Sequence, residues 1–347
     1  MNNRQQQIIE FAKENQSFKN KNLVVFFNDE YSRETITRDL SFLCKQKILN
    51  KSGAGAFVVY TLSEAYEILK EIDVKKYFSM PSSNRDVKPL FNKKIINLLN
   101  KNIFNKEETE RLEKAKNRYN KSVRPLKKES PTIFRKEWER LIIDLSWKSS
   151  EIEGNTYTLL ETEVLIKDFA FAKGKNKTEA QMILNHKKAL DYILLNPDYL
   201  KKINIAKIKE IHKLLVEDIG IKIDFRNHPV GITGTIYRPL PKSNEIESAI
   251  KALINKMEKI GNPFVRAFVF LIMLAYIQPF EDGNKRTSRI IANAILHSNE
   301  IPMLSYRNVE AIEYKKAMLL FYEQNNINYI KKIFIEQMEF SANNYFK

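Results

Sequence analysis

The chain has 347 residues, 43% of them hydrophobic and only 9 of them glycine, enough for two or three domains with substantial cores built mainly from α-helices. With 58 Lys and Arg against 42 Asp and Glu, the net charge of +16 favours polyanionic partners, although lysine and asparagine are abundant along the whole chain. The single cysteine, Cys44, excludes an intrachain disulfide, no C-x-x-C or H-E-x-x-H pattern offers a transition-metal site, and the apolar run of residues 264–276 is too short to span a bilayer; a cytoplasmic protein with no membrane partner is expected.

In chain order, an amphipathic stretch from Arg4 to Lys13 and a short helical one after Ser17 lead to Tyr31–Leu43. There Ile36, Leu40 and Leu43 recur at helical spacing, which buries one face and leaves Ser32, Arg33, Thr35, Thr37 and Arg38 outside. Ser32 is placed to cap that helix. Ile48–Lys51 and Phe57–Thr61 then read as two strands joined through Gly53-Ala54-Gly55. Three helices and a glycine-tipped hairpin over 1–66 resemble a winged helix-turn-helix domain. The resemblance implies double-stranded DNA as a partner, with Arg33 and Arg38 at bases or phosphates and Lys51 on the wing.

Residues 67–131 read as a helical linker region, with a hinge at Pro81–Arg85, a charged helix over Phe104–Tyr119 and a break between Pro125 and Pro131. Downstream, Ser149-x-x-x-Glu153-Gly154 lies at the end of an amphipathic helix, with Gly154 read as its C-cap and Thr156 as the cap of the next. Val230–Pro241, rich in β-formers with glycines at 231 and 234, reads as a β-hairpin.

Two helical runs, ending at Tyr276 and starting at Arg286, enclose Gln278-Pro279-Phe280-Glu281-Asp282-Gly283-Asn284-Lys285-Arg286-Thr287-Ser288-Arg289. Gly283 allows a tight turn, and the amides of Gly283, Asn284 and Lys285 at the start of the second helix form an anion site. Arg286 and Arg289, three apart, can both fork onto phosphate oxygens, and Asp282 supplies a hard oxygen ligand for a phosphate-bridging Mg²⁺. These twelve residues resemble the core motif of the Fic family, H-P-F-x-[D/E]-G-N-[G/K]-R-x-x-R, at every position but the first.

The resemblance implies a Fic-type helical bundle over 132–347 with a small β-hairpin flap, binding of ATP with Mg²⁺, and transfer of AMP to a Ser, Thr or Tyr hydroxyl of a target protein or of the chain itself. It makes Asp282 the metal ligand and puts Gly283, Asn284, Lys285, Arg286 and Arg289 on the phosphates. It makes Ser149, Glu153 and Gly154, near 146–154, an inhibitory helix whose glutamate pairs with Arg289. It assigns Ile232, Gly234, Thr235 and Tyr237 to docking of the target segment.

Gln278 stands where the family has its general base. A carboxamide can position a hydroxyl but cannot hold its proton near neutral pH, so the chain as given is expected to be catalytically impaired. The base could be lost, replaced, or not needed for a different reaction; AMP removal with Glu153 activating water, which the resemblance also allows, is expected to suffer from the missing histidine too. His186, His212, His228 and His297 have none of the motif's neighbours and read as surface or packing residues. The alternative is a non-catalytic, nucleotide-sensing DNA-binding regulator; a homodimer is compatible with either.

Overall fold

The computed structural model describes residues 1–100 and 102–347. Two compact units form, Met1–Ile72 and Asp73–Lys347.

In the first unit, α1 (Asn3–Glu14), α2 (Asn20–Phe26) and α3 (Arg33–Lys45) precede an antiparallel pair, β1 (Leu49–Ser52) and β2 (Val59–Leu62), and α4 (Glu64–Leu69). Ile8, Leu23, Ile36, Leu40 and Leu43 are wholly buried in one core, and the half-buried Cys44 packs against it. Ser32 caps α3 by accepting from the Thr35 amide at 3.2 Å. β1 sits one residue later than expected, and β2 starts two residues later and ends one later, because Gly55–Phe57 turns as a short 3-10 segment after Gly53. Gly53 has φ of +80°, and a Cβ there would lie 2.3 Å from the Phe57 carbonyl oxygen, so the turn requires glycine. Tyr66 packs on this core, which carries the unit past residue 66.

The second unit holds α5 (Val74–Ser79), α6 (Ile95–Leu98), α7 (Lys106–Glu129), α8 (Pro131–Ile152), α9 (Leu159–Asp168), α10 (Lys177–Leu195), α11 (Ile205–Val216), α12 (Ser243–Glu258), α13 (Pro263–Ile277), α14 (Asn284–His297), α15 (Ala311–Gln324) and α16 (Asn328–Asn344). α13 is apolar on every side and nearly every residue of it is buried, so it is the central rod, with α14 packed along it. α8, α10, α11 and α15 pack around that pair.

Several segments depart from the sequence reading. The helix expected to end near Tyr119 continues through Pro125 to Glu129, and the expected break falls at Ser130, immediately before Pro131 opens α8. Pro125 and Lys121 are exposed, so water can satisfy the carbonyl that loses its partner. The expected hinge of Pro81–Arg85 ends in a fixed point, since the buried Arg85 reaches Glu323 on α15 and the Gly234 carbonyl while residues 81–84 are exposed. Residues 230–241 form no hairpin. They run extended around a turn at Thr233–Gly234, and a single bridge joins Arg238 to Leu90. Their backbone is held by Arg85 and Pro89, which leaves no second strand to pair with. Finally α9 is capped by Thr158, not Thr156, whose hydroxyl and amide are both taken by Glu179.

Candidate active site

The C-terminus of α13 is closed carbonyl by carbonyl. Gln278 turns into the left-handed region (φ 51°) and its side-chain amide donates to the Ala275 carbonyl at 2.6 Å. Tyr237 donates to the Tyr276 carbonyl at 2.9 Å, and Arg226 reaches the carbonyls of Gln278 at 2.7 Å and of Ile277 at 3.4 Å. Arg226 is buried and also holds the His228 carbonyl at 2.7 Å. Nothing in the local sequence marks Arg226, whose partners on α13 are backbone atoms about fifty residues away. An Arg226→Ala variant should lose at least about 2 kcal/mol of stability, because the two buried carbonyls of Ile277 and Gln278 are orphaned together; denaturant titration measures it.

From Gln278 the chain makes a tight loop fastened by Asn284. Its side chain accepts from the Phe280 amide at 2.8 Å, and its amide group serves both the Phe280 carbonyl and Gln278 Oε1 at 2.9 Å. The side chain expected on phosphate is therefore a staple of the loop. No side chain caps α14 among the described residues, so the amides of Asn284, Lys285 and Arg286 are left for a ligand. Gly283 begins that helix at φ +75°, and a Cβ there would come within 3.2 Å of both His212 Cε1 and Val216 Cγ1. Gly283→Ala should cost about 1–2 kcal/mol from the left-handed backbone alone, read as a lowered Tm.

His212 is not a surface residue. It is fully buried, stacks on Phe280 with ring centroids 3.6 Å apart and 6° between planes, and lies 3.2 Å from Thr287 Oγ1. Burial lowers its pKa from 6.5 to about 4. His186 is also fully buried, with neither ring nitrogen hydrogen-bonded, and burial together with Arg289 and Arg286 pushes it well below the ordinary range. Both rings are neutral in the fold and protonate more readily once unfolded. Stability should therefore be complete above about pH 6.5 and fall with pH toward 4, by about 3 kcal/mol for His212. Tm against pH should show this slope, and His212→Asn should flatten it.

Arg286 and Arg289 are almost wholly inaccessible. Arg286 lies 3.2 Å from Asp282 Oδ2, and burial lowers its pKa. Arg289 is enclosed by the last turns of α8: Nε donates to Ser149 Oγ, Nη2 to the Ser149 carbonyl and Nη1 to Glu153 Oε1, each at 2.9 Å. The other Glu153 oxygen takes Lys285 Nζ at 3.1 Å. Burial alone would raise the Glu153 pKa, but Arg289 and Lys285 outweigh it and hold the carboxyl below its ordinary range. Glu153 itself is the C-cap of α8, and Gly154 follows at φ +100°, so the chain can turn away with the carboxylate facing the loop.

These groups bound a cavity of about 490 Å³, with Glu153, Gln278 and Asp282–Arg286 on one side, Ile232 and Thr233 on another, and Tyr314 and Tyr322 of α15 on a third. Asp282 sits at its mouth with a side chain 64% exposed. Of the four residues expected to dock a target, Ile232 lines the cavity, Gly234 supplies the turn, and Thr235 accepts from the Tyr237 amide. Tyr237, 1% exposed and stacked on Tyr276, is a core residue that no target segment can reach. In the first unit, Arg33, Arg38 and Lys51 are exposed, while Ser32 is used as a cap, Thr35 shares its hydroxyl and Thr37 bonds Asn20 and Arg33.

Residues 202–296 match the Fic/DOC family. That Fic region contains α11 to α14 and the whole loop, and relatives named protein adenylyltransferase Fic support it further. The Nematostella vectensis protein is 30% identical over 175 residues, covering 48% of this chain, and the Drosophila melanogaster protein 30% over 162 residues, covering 43%. The chain spans 40% and 31% of the lengths of those relatives. Among solved structures, a Fic domain containing signaling protein from Bacteroides thetaiotaomicron aligns with a TM-score of 0.56 at 20% identity, over 67% of this chain and 95% of that one. A Fic family protein from Desulfovibrio desulfuricans aligns with a TM-score of 0.58 at 16% identity, over 69% of this chain and 74% of that one. At those identities the likeness is one of fold. The chain is mainly helical, as its composition led us to expect, with one small antiparallel sheet among the described residues, β1 with β2, in the first unit. Among the described residues no helix is long and apolar enough to cross a membrane.

Proposed function

We propose that this chain binds ATP with Mg²⁺ at the 278–289 loop, that Glu153 opposes that binding, and that a histidine in place of Gln278 would convert bound ATP into an AMP donor for a protein hydroxyl. The observation that carries the reading is the Glu153–Arg289–Lys285 cluster. A carboxylate occupies the cations that a triphosphate would use, so nucleotide and Glu153 compete for one charge site.

Mg²⁺ fits Asp282, a largely exposed hard oxygen ligand at the cavity mouth. No cluster of three metal-binding side chains exists among the described residues, so phosphate and water oxygens would complete its coordination. Bound there, the ion would neutralise charge developing on the phosphates. The free amides at the start of α14 would hold phosphate oxygens, Arg286 would add charge from beneath, and Ile232 and Thr233 would border the target's path. Gln278, committed to Ala275 and Asn284, has no basic atom to receive a proton.

ATP with Mg²⁺ should raise the Tm of the chain, and Asp282→Ala should abolish the Mg²⁺ dependence of that rise while leaving a smaller shift by ATP alone. An ATP shift indifferent to Mg²⁺ in the unaltered chain would remove Asp282 from the metal role.

A second reading concerns residues 1–72 and rests on α3, whose exposed Arg33 and Arg38 lie beside a glycine-turned antiparallel pair carrying Lys51. Read as a winged helix, this unit would bind duplex DNA in a salt-dependent way, with nucleotide state as input. Arg38→Ala should weaken binding in gel shifts and lower the salt slope by about 1.

A further inference from the structure

Away from the loop, Arg85 and Glu323 meet at 3.3 Å with side chains only 5% and 0% exposed. The other Glu323 oxygen accepts from the Tyr77 hydroxyl at 2.8 Å, and the Arg85 guanidinium lies 5.0 Å from the centre of the Phe78 ring. A pair buried this deeply is a poor source of stability, because apolar side chains of similar volume would serve without the desolvation cost. What it supplies is a fixed point.

The same Arg85 nitrogen, Nη2, that meets Glu323 also donates to the Gly234 carbonyl, at the turn of the 230–241 segment, where φ is +86°. Among the described residues this is the one hydrogen bond that residues 230–236 receive from outside their own segment. Ile232 and Thr233, immediately before the turn, line one wall of the cavity, while Leu319 and Tyr322, in the turn of α15 before Glu323, line another. One nitrogen thus ties two walls together. The chain around Arg85 is itself held: the Lys88 amide donates to the Glu323 carbonyl at 2.8 Å, the Arg238 amide to the Pro89 carbonyl at 2.8 Å, and the Asn92 amide to the Tyr276 hydroxyl at 3.0 Å. All of this lies outside the stretch 202–296 that matches the family on the Arg85 side.

We propose that Arg85, anchored by Glu323, is a positioning residue for the acceptor: it fixes the gap through which a protein hydroxyl approaches the nucleotide. The role presupposes ATP at the 278–289 loop. In the transfer, the acceptor oxygen bonds to the α-phosphorus as the bond to the bridging oxygen breaks, pyrophosphate leaves, and the hydroxyl proton passes to the base at position 278. A protein segment must be guided to that phosphorus along Ile232 and Thr233, whereas water needs no guide. Arg85 therefore acts on transfer to protein, and not on nucleotide binding or on attack by water.

The test uses the full chain with Gln278→His, with and without Arg85→Met, and measures labelled AMP on the chain itself and on lysate proteins against AMP released to water. Arg85→Met should lower the ratio of transfer to release about 10- to 100-fold, the effect of misplacing a reactant by about 1 Å, and leave the ATP-induced rise in Tm unchanged. Glu323→Gln should act in the same direction. Arg85→Lys, whose ammonium has donors for both partners, should recover most of the ratio. Hydrogen exchange over 230–237 should quicken in Arg85→Met while that over 264–276 does not. Transfer and release falling together, or a ratio unchanged in both Arg85→Met and Glu323→Gln, would overturn the proposal. Unchanged exchange over 230–237 would overturn it as well, without touching the reading of the loop. A Gln278→His chain that neither labels protein nor releases AMP would instead overturn the loop reading, and the acceptor role with it.

Discussion

Gln278→His, given labelled ATP and Mg²⁺, is expected to transfer AMP to protein about 10² to 10⁴ times faster than the chain with glutamine, the span that a general base typically contributes. The site is otherwise prepared for the exchange. Residue 278 sits in the left-handed region, which histidine tolerates better than most residues. The glutamine already donates to the Ala275 carbonyl. An imidazole donating Nδ1–H to the same carbonyl would keep its Nε2 lone pair for the incoming hydroxyl. The pH profile should show a base titrating near 6.5 or below, since burial lowers histidine, as it does for His212. Labelling no faster than in the glutamine chain, in a protein that still binds ATP, would rule out this assignment of position 278.

The second large effect is expected at Glu153. Removing its carboxylate in Glu153→Gly leaves Arg289 buried with Ser149 and the Tyr314 ring but no anionic partner from Glu153, and breaking a buried pair in this way costs about 3–5 kcal/mol. The variant should therefore melt earlier without nucleotide. A triphosphate then supplies the missing negative charge, so ATP affinity should rise about 10- to 100-fold, the worth of a hydrogen bond to a charged group, and Tm should recover as ATP is added. In combination with Gln278→His the transfer rate should exceed that of Gln278→His alone. Calorimetry and thermal shift with and without ATP make the comparison; equal ATP-induced shifts in the two proteins would mean that Glu153 does not oppose nucleotide. The sign with pH is also fixed. Glu153 is held below its ordinary pKa, so its stabilising pair is present above that value and is lost as pH falls through the lowered one.

Some of this was legible from residue order because the information is local. Ser32 caps α3 through an amide three residues away, Gly53 and Gly283 are required by their own backbone angles, and the 278–289 loop carries its amides, arginines and acid within one turn and one helix start. Helical apolar spacing gave the buried face of α3, and a continuous apolar run gave the helix α13, for the same reason. The spacing of Ser149 and Glu153 could be read as well, and the two do meet Arg289.

What only the tertiary structure decided involves groups that have no meaning until distant segments meet. Arg226 closes α13 through backbone carbonyls, which no side-chain pattern advertises. Asn284 and Tyr237 carry polar groups suited to a ligand or target, yet packing spends them on the loop and on Tyr276. Residues 230–241 have β-forming composition but no strand beside them, because β-structure is a property of a pair and their partners are Arg85 and a single bridge to Leu90. His212 and His186 are indistinguishable by sequence from surface histidines; burial alone makes them neutral. Residue order thus determined the turn of the loop and the groups it carries, because short-range geometry follows from backbone angles and adjacent side chains. Which polar groups remained free for a ligand was settled by long-range packing, because a donor's partner is fixed by where the chain brings its backbone.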